Sequence, residues 1–155
     1  MDQNSSLVIA LGADHGGYAL KEEIKNYLLS RGFKIRDFGT FSDESVDYPD
    51  YAFQVAQAVS SGQFSLGILV CTTGIGVSIV ANKVKGVRAA LCHDPLSAQL
   101  ARQHNHANVL CLGGKIIGSK LALKIVETWL ETGVSSEERH VRRVKKIAEI
   151  EGGLC

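Results

Sequence analysis

Apolar positions along this chain recur in two alternating rhythms. Short aliphatic or β-branched runs read as strands at Leu7–Gly12, Lys34–Phe38, Leu66–Cys71, Val87–Cys92 and Val109–Leu112. Between them the apolar residues space out at helical intervals. Leu20, Ile24, Tyr27 and Leu28 share one helical face, which Gly32 terminates, and Tyr51, Val55, Ala58 and Val59 share a second. Another helix starts near Val77. Asp94-Pro95 reads as an N-cap followed by a first-turn proline, opening a helix over Leu96–His104. Leu121, Ile125, Trp129 and Leu130 place a fifth helix over Ser119–Glu131, and after Gly133 the charged segment Ser135–Glu151 carries Val141, Val144, Ile147 and Ala148 on one face.

Strict alternation of strand and helix implies a parallel sheet covered on both faces. The almost unbroken aliphatic run Leu66–Cys71 suits a central strand of such a sheet. The expected fold is a Rossmann-like three-layer α/β/α sandwich with a five-stranded parallel sheet and a C-terminal helix. Residues 1–6 read as a flexible tail, 7–134 as the domain, and 135–155 as a helical arm belonging to it.

Length and composition narrow the function classes. A chain of 155 residues, 45% hydrophobic, is one ordinary globular domain. A formal charge of +1 speaks against broad binding to nucleic acid or an anionic membrane surface. Met1–Ser6 has no basic flank and the apolar run behind it ends by Gly12, too short for a signal peptide or a membrane span. The four cysteines, Cys71, Cys92, Cys111 and Cys155, form no CxxC pair and read as reduced thiols. A cytoplasmic protein is expected.

In open α/β sheets, ligands bind beyond the carboxyl ends of the strands. Those positions hold Asp14, His15, Gly16 and Gly17 after the first strand, Cys71 to Gly76 after the third, Cys92, His93 and Asp94 after the fourth, and Gly113, Gly114 and Lys115 after the fifth. Four loops thus bring acids, imidazoles, a thiol and an amine to one edge. The turn Cys71-Thr72-Thr73-Gly74-Ile75-Gly76 is the most informative. Small residues between a buried strand and a helix can aim several N–H groups at one anionic oxygen, and the same setting makes a thiolate available at Cys71. The plainer reading is a tight turn with a strand-filling cysteine. Gly74 and Gly76 followed by Asp94 also echo a dinucleotide fingerprint, but Ile79 stands where its third glycine belongs and Asp94 is committed to capping. Arg139 and Arg143, one helical turn apart, have the spacing of a phosphate grip, although such runs are often plain solvated faces.

Taken in order, Gly12-Ala13-Asp14-His15-Gly16-Gly17, Asp47-Tyr48-Pro49, Cys71 through Gly76, Ala81-Asn82-Lys83, Arg102-Gln103-His104-Asn105 and Arg139 through Arg143 resemble the type B ribose-5-phosphate isomerases. That family also includes galactose-6-phosphate isomerase subunits. The resemblance runs from Leu7 to Ile150. It implies aldose–ketose isomerisation between ribose 5-phosphate and ribulose 5-phosphate through an enediolate, with no metal and no organic cofactor. Cys71 matches the general base, Thr72, Thr73, Gly74, Ile75 and Gly76 the anion hole, and His104 the group that opens the sugar ring with Asn105 beside it. Asp14, His15 and Tyr48 match substrate contacts, and Arg139 and Arg143 the phosphate clamp. Lys115 stands where the family often has arginine, keeping the charge without the bidentate fork. The family is known as homodimers or dimers of dimers. Because Cys71 ends a strand while His104 ends a helix leading into one, a shared active site between two chains is expected. Two alternatives stay open: a six-carbon substrate such as allose or galactose 6-phosphate, and a sugar-phosphate or nucleotide binding module without turnover. A pure binder has no need of Cys71 beside an anion-binding turn.

Overall fold

The computed structural model describes residues 7–153, so the expected tail at residues 1–6 and Cys155 lie outside the described part. In chain order the elements are β1 (Val8–Ala13), α1 (Tyr18–Ser30), β2 (Lys34–Asp37), α2 (Tyr48–Ser60), β3 (Leu66–Cys71), α3 (Ile75–Ala81), β4 (Ala89–Leu91), α4 (Pro95–Asn105), β5 (Val109–Gly113), α5 (Ser119–Glu131) and α6 (Glu138–Glu151). The five strands are parallel, in the order β2-β1-β3-β5-β4.

Alternate residues of each strand feed opposite faces, as the pleat requires. Ile9, Leu11, Ile68, Val70, Leu110 and Leu112 pack under α1, α4 and α5 around the fully buried Trp129. Ala10, Leu69, Cys71, Val109 and Cys111 pack under α2 and α3. β3 is buried at every position, as its aliphatic run implied. The chain winds one way from β1 to β2 and the other way from β1 to β3, which opens a crevice between the carboxyl ends of β1 and β3.

Boundaries shift where neighbours decide them. β4 shrinks to Ala89–Leu91 because it is an edge strand, paired only with β5. The Asn82 side chain blunts its start: Asn82 Nδ2 donates to the Ala89 carbonyl at 2.9 Å, while the Ala89 N–H donates to Asn82 Oδ1 at 2.8 Å. α3 starts at Ile75, ahead of Val77, because Gly74 turns the chain with φ +77°. Asp94 does cap α4, accepting from the Ser97 N–H at 2.7 Å. Ile79 is 54% exposed, so it obstructs no helix–strand packing, and the dinucleotide reading fails on Asp94 alone.

α6 departs furthest from a self-contained element. His140 is its one buried residue, while Val141, Ile147 and Ile150 stay exposed. Among the described residues its apolar stripe is left largely uncovered, with only Val144 half-buried.

Candidate active site

Three strand-end loops are stitched together at the crevice. The Asp14 N–H donates to the Val70 carbonyl at 3.3 Å, the Gly114 N–H to the Cys71 carbonyl at 2.8 Å, and the Lys115 N–H to the Thr72 carbonyl at 3.0 Å. Glycine is needed where these backbones touch: a Cβ on Gly17 would collide with the Val70 carbonyl, and one on Gly114 would lie 2.9 Å from the Gly16 oxygen. The fourth loop, Cys92 to Asp94, does not join them. It lies at the far edge strand, and its carboxylate is spent on capping Ser97.

Cys71 closes β3 with 4% of its surface exposed, and its Sγ accepts the Gly74 N–H at 3.1 Å. The thiol therefore lies against the turn that opens α3. Thr73 Oγ1 accepts the Ile75 N–H at 3.2 Å, which fixes that hydroxyl in the same turn. Thr72 and Ile75 are exposed, and Gly76 is half-buried under Tyr48, whose ring atoms lie 2.7 Å from where a Cβ would stand. Asp14 is buried and accepts the Gly17 N–H at 3.1 Å. His15 is exposed, and its Nδ1 accepts the Val46 N–H at 3.1 Å, so the ring proton of neutral His15 sits on Nε2, free for a ligand. Lys115 is exposed at the same rim. The other two thiols among the described residues are held protonated: burial, then Asp94, pushes Cys92 up to about 11, and burial holds Cys111 far above the ordinary range.

A second group gathers elsewhere. His104 and Asn105 end α4, and the following Asn108 carbonyl accepts the Gly67 N–H near the start of β3. From Gly67 to Cys71 the strand advances roughly 13 Å, so the two histidine- and cysteine-bearing groups sit at opposite ends of the sheet. His104 stacks on His140 of α6, which also carries Arg139 and Arg143 on its exposed surface. Arg139 Nε donates to Glu137 Oε2 at 2.8 Å. One chain therefore holds Asp14, His15, Tyr48, Cys71–Gly76 and Lys115 at one end, and His104, Asn105, Arg139 and Arg143 at the other.

Supporting residues escaped sequence reading. Arg88 donates to the Asn105 and His106 carbonyls at 3.0–3.1 Å, and Arg102 Nη1 to the Ala107 carbonyl at 2.6 Å, holding the end of α4 that presents His104. Lys21, fully buried, pairs with Asp37 at 2.6 Å beneath the Asp14 loop. Arg102 stands in a motif the sequence offered, but its bond to Ala107 has no signature there, and the Arg88 and Lys21 pairings join positions 16 to 18 residues apart. Among the described residues, no three or more His, Cys, Asp or Glu cluster as a metal site, and no helix is long and apolar enough to cross a membrane.

Known proteins share this sequence and fold. The profile of the ribose/galactose isomerase family matches residues 9–147. Ribose-5-phosphate isomerase B of Escherichia coli is 51% identical over 144 residues, 92% of this chain and 95% of that protein. The structure of ribose-5-phosphate isomerase B from Clostridium thermocellum superposes with a TM-score of 0.93 at 50% identity, covering 96% of this chain and 100% of that one. That of the Mycoplasma genitalium enzyme with bound ribulose-5-phosphate gives 0.90 at 43% identity, covering 95% and 97%. With a family profile spanning β1 to α6 and relatives at half identity over nearly their full length, this chain belongs to the ribose/galactose isomerase family.

Proposed function

We propose that the protein interconverts D-ribose 5-phosphate and D-ribulose 5-phosphate through an enediolate, in sites that two copies of the chain complete together. The observation that carries this reading is the placement of Cys71, against the turn that opens α3, at the opposite end of the sheet from His104. A five-carbon phosphate cannot bridge the length of β3, so both groups serve one substrate only if His104, Asn105, Arg139 and Arg143 come from a partner related by a two-fold axis. The uncovered stripe of Val141, Ile147 and Ile150 supports association through α6.

The chemistry follows from the groups. The Cys71 thiolate removes the proton from C2 of the open-chain aldose, and the electron pair shifts onto the carbonyl oxygen at C1. Thr73 and the Thr72–Gly76 turn hold the resulting enediolate. The proton returns from Cys71 to C1 while the O2 hydroxyl proton passes to O1, leaving the ketose. Before this, His104 takes the anomeric hydroxyl proton and delivers one to the ring oxygen, opening the furanose, with Asn105 orienting the sugar. Asp14 and Tyr48 line the sugar. The His15 Nε2–H, Lys115, Arg139 and Arg143 bind the phosphate. No step calls for a metal or organic cofactor. The near-neutral charge balance suits a cytoplasmic enzyme.

Co-refolding Cys71→Ala and His104→Ala chains tests the shared site. In each mixed dimer one site inherits both defects and the other neither, so random pairing restores roughly a quarter of parent activity. No recovery would place each site within one chain. A ketose-formation assay with five- and six-carbon phosphates tests the substrate: faster turnover of allose or galactose 6-phosphate would overturn the pentose reading.

A further inference from the structure

His140 is the only buried side chain among the described residues of α6, a 14-residue helix whose Val144 is half-buried and whose other residues are exposed. It is 4% exposed, and its ring lies flat on that of His104, centroids 4.1 Å apart and planes 7° from parallel. The two rings border a hollow of about 440 Å³ walled by Gln103 and the Gly133–Glu137 segment. Backbone contacts fix both sides of the stack. The Ser135 N–H donates to the Gln103 carbonyl at 3.1 Å, His106 Nε2 meets the Ser135 carbonyl at 3.0 Å, and the His140 N–H donates to the Glu137 carbonyl at 3.0 Å.

An imidazole is an odd choice for the one buried side chain of a helix if packing were its only task, because an aliphatic side chain avoids desolvating ring nitrogens. Its flat face, however, matches the plane of His104. The charged or titratable groups facing it are His104 from α4, Glu137 from the preceding segment, with its carboxylate 3.9 Å from Nε2, and Arg139 and Arg143 from α6. Burial foremost, then His104 and Arg139, hold the His140 ring below its ordinary protonation range, against the opposing pull of Glu137. A neutral ring can stack on His104 while His104 gains and loses a proton; two charged rings at this separation repel.

We propose that His140 is a positioning residue for sugar-ring opening, a neutral platform that fixes the plane of His104 so that one nitrogen can pass a proton between the anomeric hydroxyl and the ring oxygen. This inference rests on His104 as the ring-opening group. Such a role touches only the cyclic aldose. Ribulose 5-phosphate is open-chain, because the C5 hydroxyl that would close a five-membered ring on C2 carries the phosphate.

The test compares two readouts in His140→Ala, His140→Phe and His104→Ala: turnover of ribose 5-phosphate, and incorporation of solvent deuterium at C1 of ribulose 5-phosphate, which needs Cys71 but no ring opening. His140→Ala should lower ribose 5-phosphate turnover ~10-fold or more, as small misplacements of catalytic groups do, and depress exchange far less. His140→Phe, which retains an aromatic face, should recover most of the lost turnover. Equal losses in both readouts for His140→Ala, or a folded His140→Phe no better than alanine, would overturn the platform. If His104→Ala itself lowered both readouts equally, the ring-opening role of His104 would fall, and the platform with it. Separation in His104→Ala without separation in His140→Ala would overturn the platform alone.

Discussion

Lys21→Met removes a fully buried ammonium while keeping most of its apolar stem. Lys21 Nζ lies 2.6 Å from Asp37 Oδ2 and 3.1 Å from Glu22, and the Asp37 side chain is only 12% exposed. At an effective dielectric near 20, the closer pair attracts by about 6 kcal/mol before desolvation is counted. Much of that is offset by taking both charges out of water, and Lys25 at 3.1 Å remains to compensate Asp37. The loss therefore falls at the low end for breaking a buried pair, about 3 kcal/mol. Asp37→Asn leaves Lys21 with Glu22 alone, and the double variant should be less destabilised than the sum of the singles by about 2 kcal/mol. Urea unfolding near neutral pH, with an unchanged denaturant slope, measures all three. The pair also has a pH signature. Burial raises the Asp37 carboxyl, but Lys21, the Gly39 N–H and Lys25 outweigh it and hold it below the usual carboxylate range. Its contribution is therefore present above the unfolded value of about 3.9 and is lost as pH falls through the lower folded value. Lys21→Met should flatten that acid loss. The consequence reaches the site, because Asp37 accepts the Gly39 N–H, Gly39 accepts the Ala13 N–H at 2.7 Å, and Asp14 comes next in the chain. A loss below about 1 kcal/mol in Lys21→Met, or strict additivity in the cycle, would refute this account.

Cys71→Ser should leave folding and inhibitor affinity nearly intact while lowering turnover at least ~10²-fold, because a hydroxyl is a poor base at neutral pH; near-parent turnover would remove Cys71 from that role. Arg143→Ala should chiefly weaken binding of a phosphorylated enediolate mimic, read by calorimetry, whereas Lys115→Arg should preserve or improve it. Unaltered binding in Arg143→Ala would dissolve the clamp. With burial holding their thiols protonated, Cys92 and Cys111 should resist iodoacetamide in the native protein near neutral pH, and peptide mapping that found either alkylated as fast as in urea would contradict their burial.

Period and punctuation were enough to find every strand and helix of the fold, because the apolar spacing of each is written locally, even in α6, whose stripe stays largely exposed. β3 and α5 were legible to the residue. The strand–turn–helix setting of Cys71 to Gly76 was legible too, since glycines and small hydroxyls between an aliphatic run and a helical segment mark a tight turn. What the local pattern could not decide was pairing across the chain. β4 lies outside β5 and not beside β3, which removes the Cys92–Asp94 loop from the group of site loops, and strand order depends on which helix faces fit together. Lys21 occupies a helical position that composition assigns to solvent, and only Asp37, sixteen residues on, explains its burial. His140 was visible merely as one member of a basic run. Its stack on His104 joins α4 to α6, and no spacing within either helix encodes it. Sequence determines what each segment can bury or offer; the tertiary structure decides which offers meet, because contact between distant segments is set by the packing of the whole core.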